Sequence, residues 1–294
     1  MNKKKWIKIV ALGTAAVLLA LSGILVSCLM NKNEEEPAPT PQALEYTLSS
    51  EKNYYTVSGI GECKDSVLVI PAEYNELPVK EVKDKAFEGC EFLTGLKLGE
   101  NVTKIGNGAF KGCNKLSQVS LNDSLIKIGD YAFQETALTD IFIPSSVTSV
   151  GGGAFYKCIG LKNIVVEQSN EVYKSISGNL YNKDCTELLQ YAVGKIETSF
   201  TPPTTVTRVG LYAFSYCNLE QITLAENVKN IVFYAFSGCE KLSSVTFGTG
   251  IKSISKYAFE NCKALANMTY QGTVAAWEQV NKGDGWAEGV IAQS

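Results

Sequence analysis

The chain has 294 residues, 27 basic and 30 acidic side chains, and no histidine. Without histidine it lacks the commonest general base, the usual nucleophile–histidine pairs and most catalytic zinc sites. The acidic balance argues against a nucleic-acid partner, which would need a basic face.

The first 27 residues read as an export signal. Lysines 3, 4, 5 and 8 form a basic start, and an apolar run follows from Ile9 to Val26. The run is borderline in length for a spanning helix. "LVSC", Leu25 to Cys28, resembles the bacterial lipobox, and that resemblance implies cleavage before Cys28 and lipidation of its thiol. The other reading is an uncleaved N-terminal anchor. Both hold the protein at a membrane from outside the cytoplasm. Residues 28–43 then make a tether: "NKNEEEPAPTPQ" carries acids and prolines without apolar periodicity, so it cannot build a core. Loss of the four signal lysines leaves 23 basic against 30 acidic residues, a net charge of −7.

From about residue 44 the chain repeats itself. The pair Ala-Phe recurs with phenylalanines at 87, 110, 133, 155, 214, 236 and 259, so the intervals are 23, 23, 22, 59, 22 and 23. A fixed period in the twenties is the mark of a stacked-coil solenoid. One repeat reads L-x-x-L-x-L-x(3)-V-x-x-I-x(4)-F-x-x-C, filled by Leu93, Leu96, Leu98, Val102, Ile105, Phe110 and Cys113. The L-x-L pair has period 2 and points both side chains to one face of a strand. Nine such strands centre on Val69, Lys97, Ser120, Phe142, Val165, Thr201, Thr223, Thr246 and Thr269. Two apolar residues three apart follow on a second side of the coil. Glycine often comes next (Gly106, Gly129, Gly151, Gly210), where a tight turn is expected.

"IGNGAFKGC" and "LTDIFIP" resemble the signatures of the BspA-type leucine-rich repeat family almost residue for residue. The resemblance runs roughly from Tyr46 to Trp286. It implies a leucine-rich-repeat solenoid: a β-rich, right-handed stack of about nine coils with a parallel strand ladder and few short helices. The repeat domain would span 44–272, with an insert at about 167–199, and a cap and tail at 273–294. The family also implies a surface adhesin or envelope protein that binds proteins or glycoproteins of a host or neighbouring cell. A spacer without a specific ligand is the alternative.

Cysteine recurs in register. Cys63, Cys90, Cys113, Cys158, Cys217, Cys239 and Cys262 occupy one equivalent position, and Thr136 replaces cysteine once. Such a column calls for a small buried side chain that can still donate a hydrogen bond. Parallel Cβ vectors on adjacent coils suit a disulfide poorly, so free thiols are expected. Cys185 lies off the column, in the insert, at a site expected to be open. Cysteines spaced this widely do not match a zinc pattern, and the acidic residues do not recur on one strand face as a glycosidase pair would. No catalytic, metal or cofactor residue is therefore assigned.

What remains for recognition is the outward side of the ladder. Most of it is small and polar. Phe142 and Val165 are apolar on adjacent coils, with Asp140, Asn163, Ser120 and Thr201 around them, and these six are the candidate contact residues. "SGNLYNKDCTELLQYA" reads as a hairpin projecting from the rod, either as a recognition element or as cover for a coil edge. Thr273 caps a short helix, "VAAWEQV", whose Val274, Trp277 and Val280 share one face toward the last coil. The expected protein is a monomer bound to its membrane through the N-terminal lipid.

Overall fold

A computed structural model describes residues 44–290; Cys28, the export segment and the tether lie outside the described residues. Each repeat closes into a coil with three sides. The L-x-L segment forms the first side, and all nine expected strands are present: Val67–Ile70, Gly95–Leu98, Gln118–Ser120, Asp140–Ile143, Asn163–Val166, Ser199–Phe200, Gln221–Leu224, Ser244–Phe247 and Asn267–Tyr270. Neighbours pair in parallel and in register, as Leu68, Leu96 and Val119 do. The alternating pattern decides which face is buried: Ile141 and Ile143 point inward while Asp140 and Phe142 are exposed. The ladder falls into three runs, broken after Ser120 and after Val166. Thr201 lies just past its strand, which stops at Phe200 before Pro202 and Pro203; proline has no amide to give a ladder.

The V-x-x-I segment forms a second parallel ladder of two-residue strands, among them Lys104–Ile105, Lys127–Ile128 and Ser149–Val150. The glycines that follow do not serve a left-handed turn, because Gly106, Gly129 and Gly151 have ordinary φ angles. Their role is close approach. A Cβ on Gly106 would sit 2.4 Å from the Asp84 nitrogen, and one on Gly129 would sit 2.6 Å from the Asn107 nitrogen. The Asn107 amide and its equivalent in the next coil are held by a side-chain ladder: Asn107 N–H donates to Asp84 Oδ1 at 2.8 Å, and Asp130 N–H to Asn107 Oδ1 at 2.9 Å.

The third side is the Ala-Phe turn. Its phenylalanine rings form a buried stack, with centroids 5.1, 5.5 and 6.0 Å apart from Phe87 to Phe155 and 4.8 and 4.7 Å apart from Phe214 to Phe259. The Phe87, Phe110, Phe133, Phe214 and Phe236 amides bond the alanine carbonyl of the next coil, as Phe110 N–H does to Ala132 O at 2.8 Å, and Phe259 N–H bonds Trp286 O instead.

Beside that stack runs the cysteine column. The thiols of Cys113, Cys158, Cys239 and Cys262 donate to the carbonyls of Phe87, Phe133, Phe214 and Phe236 in the preceding coils, at 2.9–3.1 Å. Thr136 keeps a donor at this position but aims it within its own coil: its hydroxyl donates to Phe133 O at 2.9 Å, the carbonyl that Cys158 also bonds, and lies 3.2 Å from the Cys158 sulfur. The sulfurs of Cys217 and Cys239 are 3.3 Å apart as free thiols. Cys90 is only partly buried, unlike the rest of the column. Cys185 departs from expectation. It is buried, 7% exposed, because the insert folds its turn onto the core formed by Tyr181, Leu188 and Val206.

The insert is a hairpin, Asn179–Asn182 against Glu187–Gln190, extended by Tyr173–Ile176 into an antiparallel meander. It does not project. Glu187–Gln190 joins the second ladder, pairing in parallel with Arg208–Val209. Tyr191 takes the place of a column phenylalanine: its amide bonds Ala213 O at 2.7 Å and its ring stacks on Phe214 at 5.2 Å. The insert is therefore a coil of the rod with an altered sequence.

At the C-terminal end, Thr273 caps the helix Val274–Glu278 by accepting from the Ala276 amide at 3.2 Å. Val274 does not face the core; it is 77% exposed. Only Trp277 and Val280 turn inward, and the Trp277 ring lies 5.3 Å from both Phe247 and Tyr270. Strand Asn281–Lys282 then extends the second ladder by one more coil.

Candidate partner-binding faces

The first ladder places the candidate residues as follows. Strands Asp140–Ile143 and Asn163–Val166 pair with Asp140 opposite Asn163 and Phe142 opposite Val165. Asn163 Nδ2–H donates to Asp140 Oδ1 at 2.7 Å. Phe142 is 48% and Val165 36% exposed, so the pair forms an apolar spot over the inward Ile141, Ile143 and Ile164. Ser120 is exposed in the preceding coil. Thr201 does not join the patch. The insert turn stands between: Ile164 N–H bonds Gly178 O at 2.8 Å, and Ser175 Oγ donates to Ile164 O at 2.6 Å. The insert borders Val165 and leaves both apolar side chains uncovered.

A second face was not anticipated from sequence. Two residues before each column phenylalanine the backbone is left-handed in all seven Ala-Phe coils: Lys85, Gly108, Tyr131, Gly153, Tyr212, Tyr234 and Tyr257, with φ between 56° and 63°. Glycine adopts this conformation freely, whereas a side chain there costs about 1–2 kcal/mol. Four of the seven are nevertheless tyrosine. Their half-buried rings run along the rod with Tyr156 and Tyr216. Centroids are 5.3 Å apart for Tyr212–Tyr234 and again for Tyr234–Tyr257, at 13° and 23° between planes. Tyr131 and Tyr212 meet across the insert coil, with their hydroxyls 3.1 Å apart. Lys157 Nζ lies 4.9 Å from the Tyr216 ring centre and Lys256 Nζ 4.4 Å from that of Tyr257. Burial, then the hydrogen bond and charge of Tyr216, push the Tyr156 phenol far up, and Glu135 adds to the rise. Burial also raises Tyr212, with Tyr131 next and Glu260 contributing. Tyr156 and Tyr212 are thus protonated at any physiological pH. The readable signal was "YAF", present at residues 131, 212, 234 and 257.

Beside Gly153 a cleft of about 200 Å³ opens where the insert coil lacks an Ala-Phe turn, lined by Phe155, Leu180, Leu211 and the ion pair of Glu187 and Arg208. A second cleft of about 310 Å³, among Phe247, Tyr270, Trp277 and Trp286, lies at the end of the stack. Among the described residues no helix is long and apolar enough to cross a membrane.

Comparison with known proteins agrees with this architecture. The structure is similar to that of the pneumococcal vaccine antigen PcpA, with a TM-score of 0.61 and 20% identity over 86% of this chain and 79% of that one. A leucine rich cell surface protein from Faecalibacterium prausnitzii matches at TM-score 0.43 and 21% identity, over 84% and 98% of the two chains. A leucine-rich repeat protein from Eubacterium ventriosum matches at TM-score 0.43 and 21% identity, over 86% and 94%. No curated protein sequence matches. The family model for the BspA type leucine rich repeat region, in six copies, matches residues 80–195 and 190–279. With two stacked ladders, a phenylalanine column and that match over most of its length, the chain belongs to the BspA-type leucine-rich repeat family.

Proposed function

We propose that the protein is a surface-anchored lipoprotein whose repeat rod adheres to proteins or glycoproteins of a host or neighbouring cell, without catalysing a reaction. The observation that carries adhesion is the exposed Phe142–Val165 pair, an aromatic and an aliphatic side chain side by side on a ladder whose other outward residues, Val67 and Val69 at its first strand apart, are mostly polar. Large aromatic side chains carry a disproportionate share of interface energy, and Phe142 is the one aromatic at a central ladder position. Support for a surface location comes from the export signal and "LVSC", and from the pneumococcal vaccine antigen that shares the fold.

Binding of the purified chain to immobilised matrix proteins and to the producing cell's own surface extract tests adhesion. Saturable binding is expected. Phe142→Ser should weaken it about thirtyfold, the cost of at least ~2 kcal/mol typical of a hot spot, while Thr246→Ala leaves it unchanged. Equal binding by all three forms would remove Phe142 from the site, and absence of saturable binding would favour a spacer. Anchoring has its own test. Metabolic labelling with palmitate should mark the wild type and not Cys28→Ser, which should accumulate as an unprocessed precursor. An unlabelled wild type would end the lipoprotein reading.

A further inference from the structure

The tyrosine row is a continuous aromatic strip kept in a backbone conformation that glycine fills in two coils of the same rod, at Gly108 and Gly153. Backbone strain retained in this way points to a use for the side chain. The arrangement also restricts what could bind. Sugars stack on open ring faces, and here the faces of Tyr212, Tyr234 and Tyr257 are turned to one another, leaving edges and hydroxyls outward. Edges and hydroxyls of rigid tyrosines are the contact surface that protein partners use.

Charge narrows the partner further. Asp130 and Glu135 lie in the coil of Tyr131, Glu260 lies in the coil of Tyr257, and Asp284 follows in the next. The two ammonium groups of the strip, Lys157 and Lys256, are already drawn over tyrosine rings, and Lys157 also pairs with Glu135 at 3.0 Å. With those ammonium groups and Glu135 engaged within the strip, the charges it offers a partner are the carboxylates of Asp130, Glu260 and Asp284. Phe233, 47% exposed, stands beside Tyr234 and adds an apolar contact. We propose that the strip from Tyr131 to Tyr257 docks an extended, basic segment of a protein partner, whose arginine or lysine side chains alternate with apolar ones. This surface is separate from the ladder patch, and the proposal stands whether or not Phe142 binds anything.

The test uses the full chain in detergent and a fluorescent peptide of alternating arginine and valine, followed by anisotropy. A peptide of alternating glutamate and valine and a neutral glucan oligosaccharide serve as the other probes. The triple variant Tyr212→Gly, Tyr234→Gly, Tyr257→Gly relieves the left-handed backbone, so it should fold, and its melting is measured alongside. Expected are saturable binding of the arginine peptide to the wild type, a loss of about thirtyfold in the triple variant, and no change in Phe142→Ser. Should the triple variant fail to fold, Tyr234→Gly alone gives the same comparison with an expected loss of about tenfold. Equal affinity of wild type and folded variant, absence of binding, or preference for the glutamate peptide or the glucan would each overturn the proposal.

Discussion

Replacing Phe110 with alanine is expected to lower the stability of the folded chain by about 3–5 kcal/mol. Phe110 is fully buried, and its ring lies 5.1 Å from Phe87 and 5.5 Å from Phe133, nearly parallel to both. Truncation therefore removes the transfer energy of one large side chain and two ring contacts of about 0.5–1.5 kcal/mol each. The site cannot close to recover this. Its backbone is pinned from both sides, with the Phe87 amide on Ala109 O and the Phe110 amide on Ala132 O, each at 2.8 Å. In a rod, stability is a sum of coil and interface terms, and this side chain contributes to two interfaces. Denaturant unfolding of the purified protein measures the loss. Phe142→Ser, equally aromatic but outward, should change stability by no more than about 0.5 kcal/mol. A loss below about 1 kcal/mol for Phe110→Ala would mean that the column does not hold the coils together.

The contrast between these phenylalanines shows what was legible. Phe110 and Phe142 both follow from period: one recurs every 22 or 23 residues before Cys, and the other stands between two inward isoleucines. Burial in a solenoid is dictated by such spacing, so all nine ladder strands could be placed from sequence. The insert could not, because its coil keeps the hydrogen bonds of the column while changing the letters. Tyr191 fills the phenylalanine position without an Ala-Phe pair to announce it. Gly129 was placed correctly and explained wrongly, since sequence does not distinguish a turn from a backbone that passes 2.6 Å from where a side chain would be. The tyrosine row was visible as "YAF" but unmarked, because tyrosine in a left-handed conformation is a property of the backbone. Asp140, Phe142, Asn163 and Val165 come together as strand register requires, whereas Thr201 is parted from them by an insert whose path period alone does not give.

Raising the pH should destabilise the protein through its cysteine column. Burial pushes the Cys158 thiol up to about 11, partly opposed by its hydrogen bond with Thr136. Burial, then the charge of Cys90, pushes Cys113 up to about 12. The unfolded thiol ionises near 9. A group whose folded pKa is raised contributes stability that is fully present below the unfolded value and lost as pH climbs toward the folded one. The window is thus pH 9 to 12, and each unit within it costs about 1.4 kcal/mol per thiol. By pH 11 Cys158 should cost about 2 kcal/mol and Cys113 about 3 kcal/mol. The chain supplies its own control. Thr136 shows that threonine fits this column and bonds the same kind of carbonyl, and threonine does not titrate. The double variant Cys113→Thr, Cys158→Thr should therefore lose about 5 kcal/mol less than the wild type between pH 8 and 11, measured by denaturant unfolding under reducing conditions. Buried phenols such as Tyr46 and Tyr181, each raised to about 12 chiefly by burial, act in the same direction. They are common to both proteins and cancel in the difference. Parallel stability curves for the two proteins would mean that the thiols ionise as readily in the fold as outside it. The column would then be wet, and the reason for a small, buried donor at every coil would fall with it.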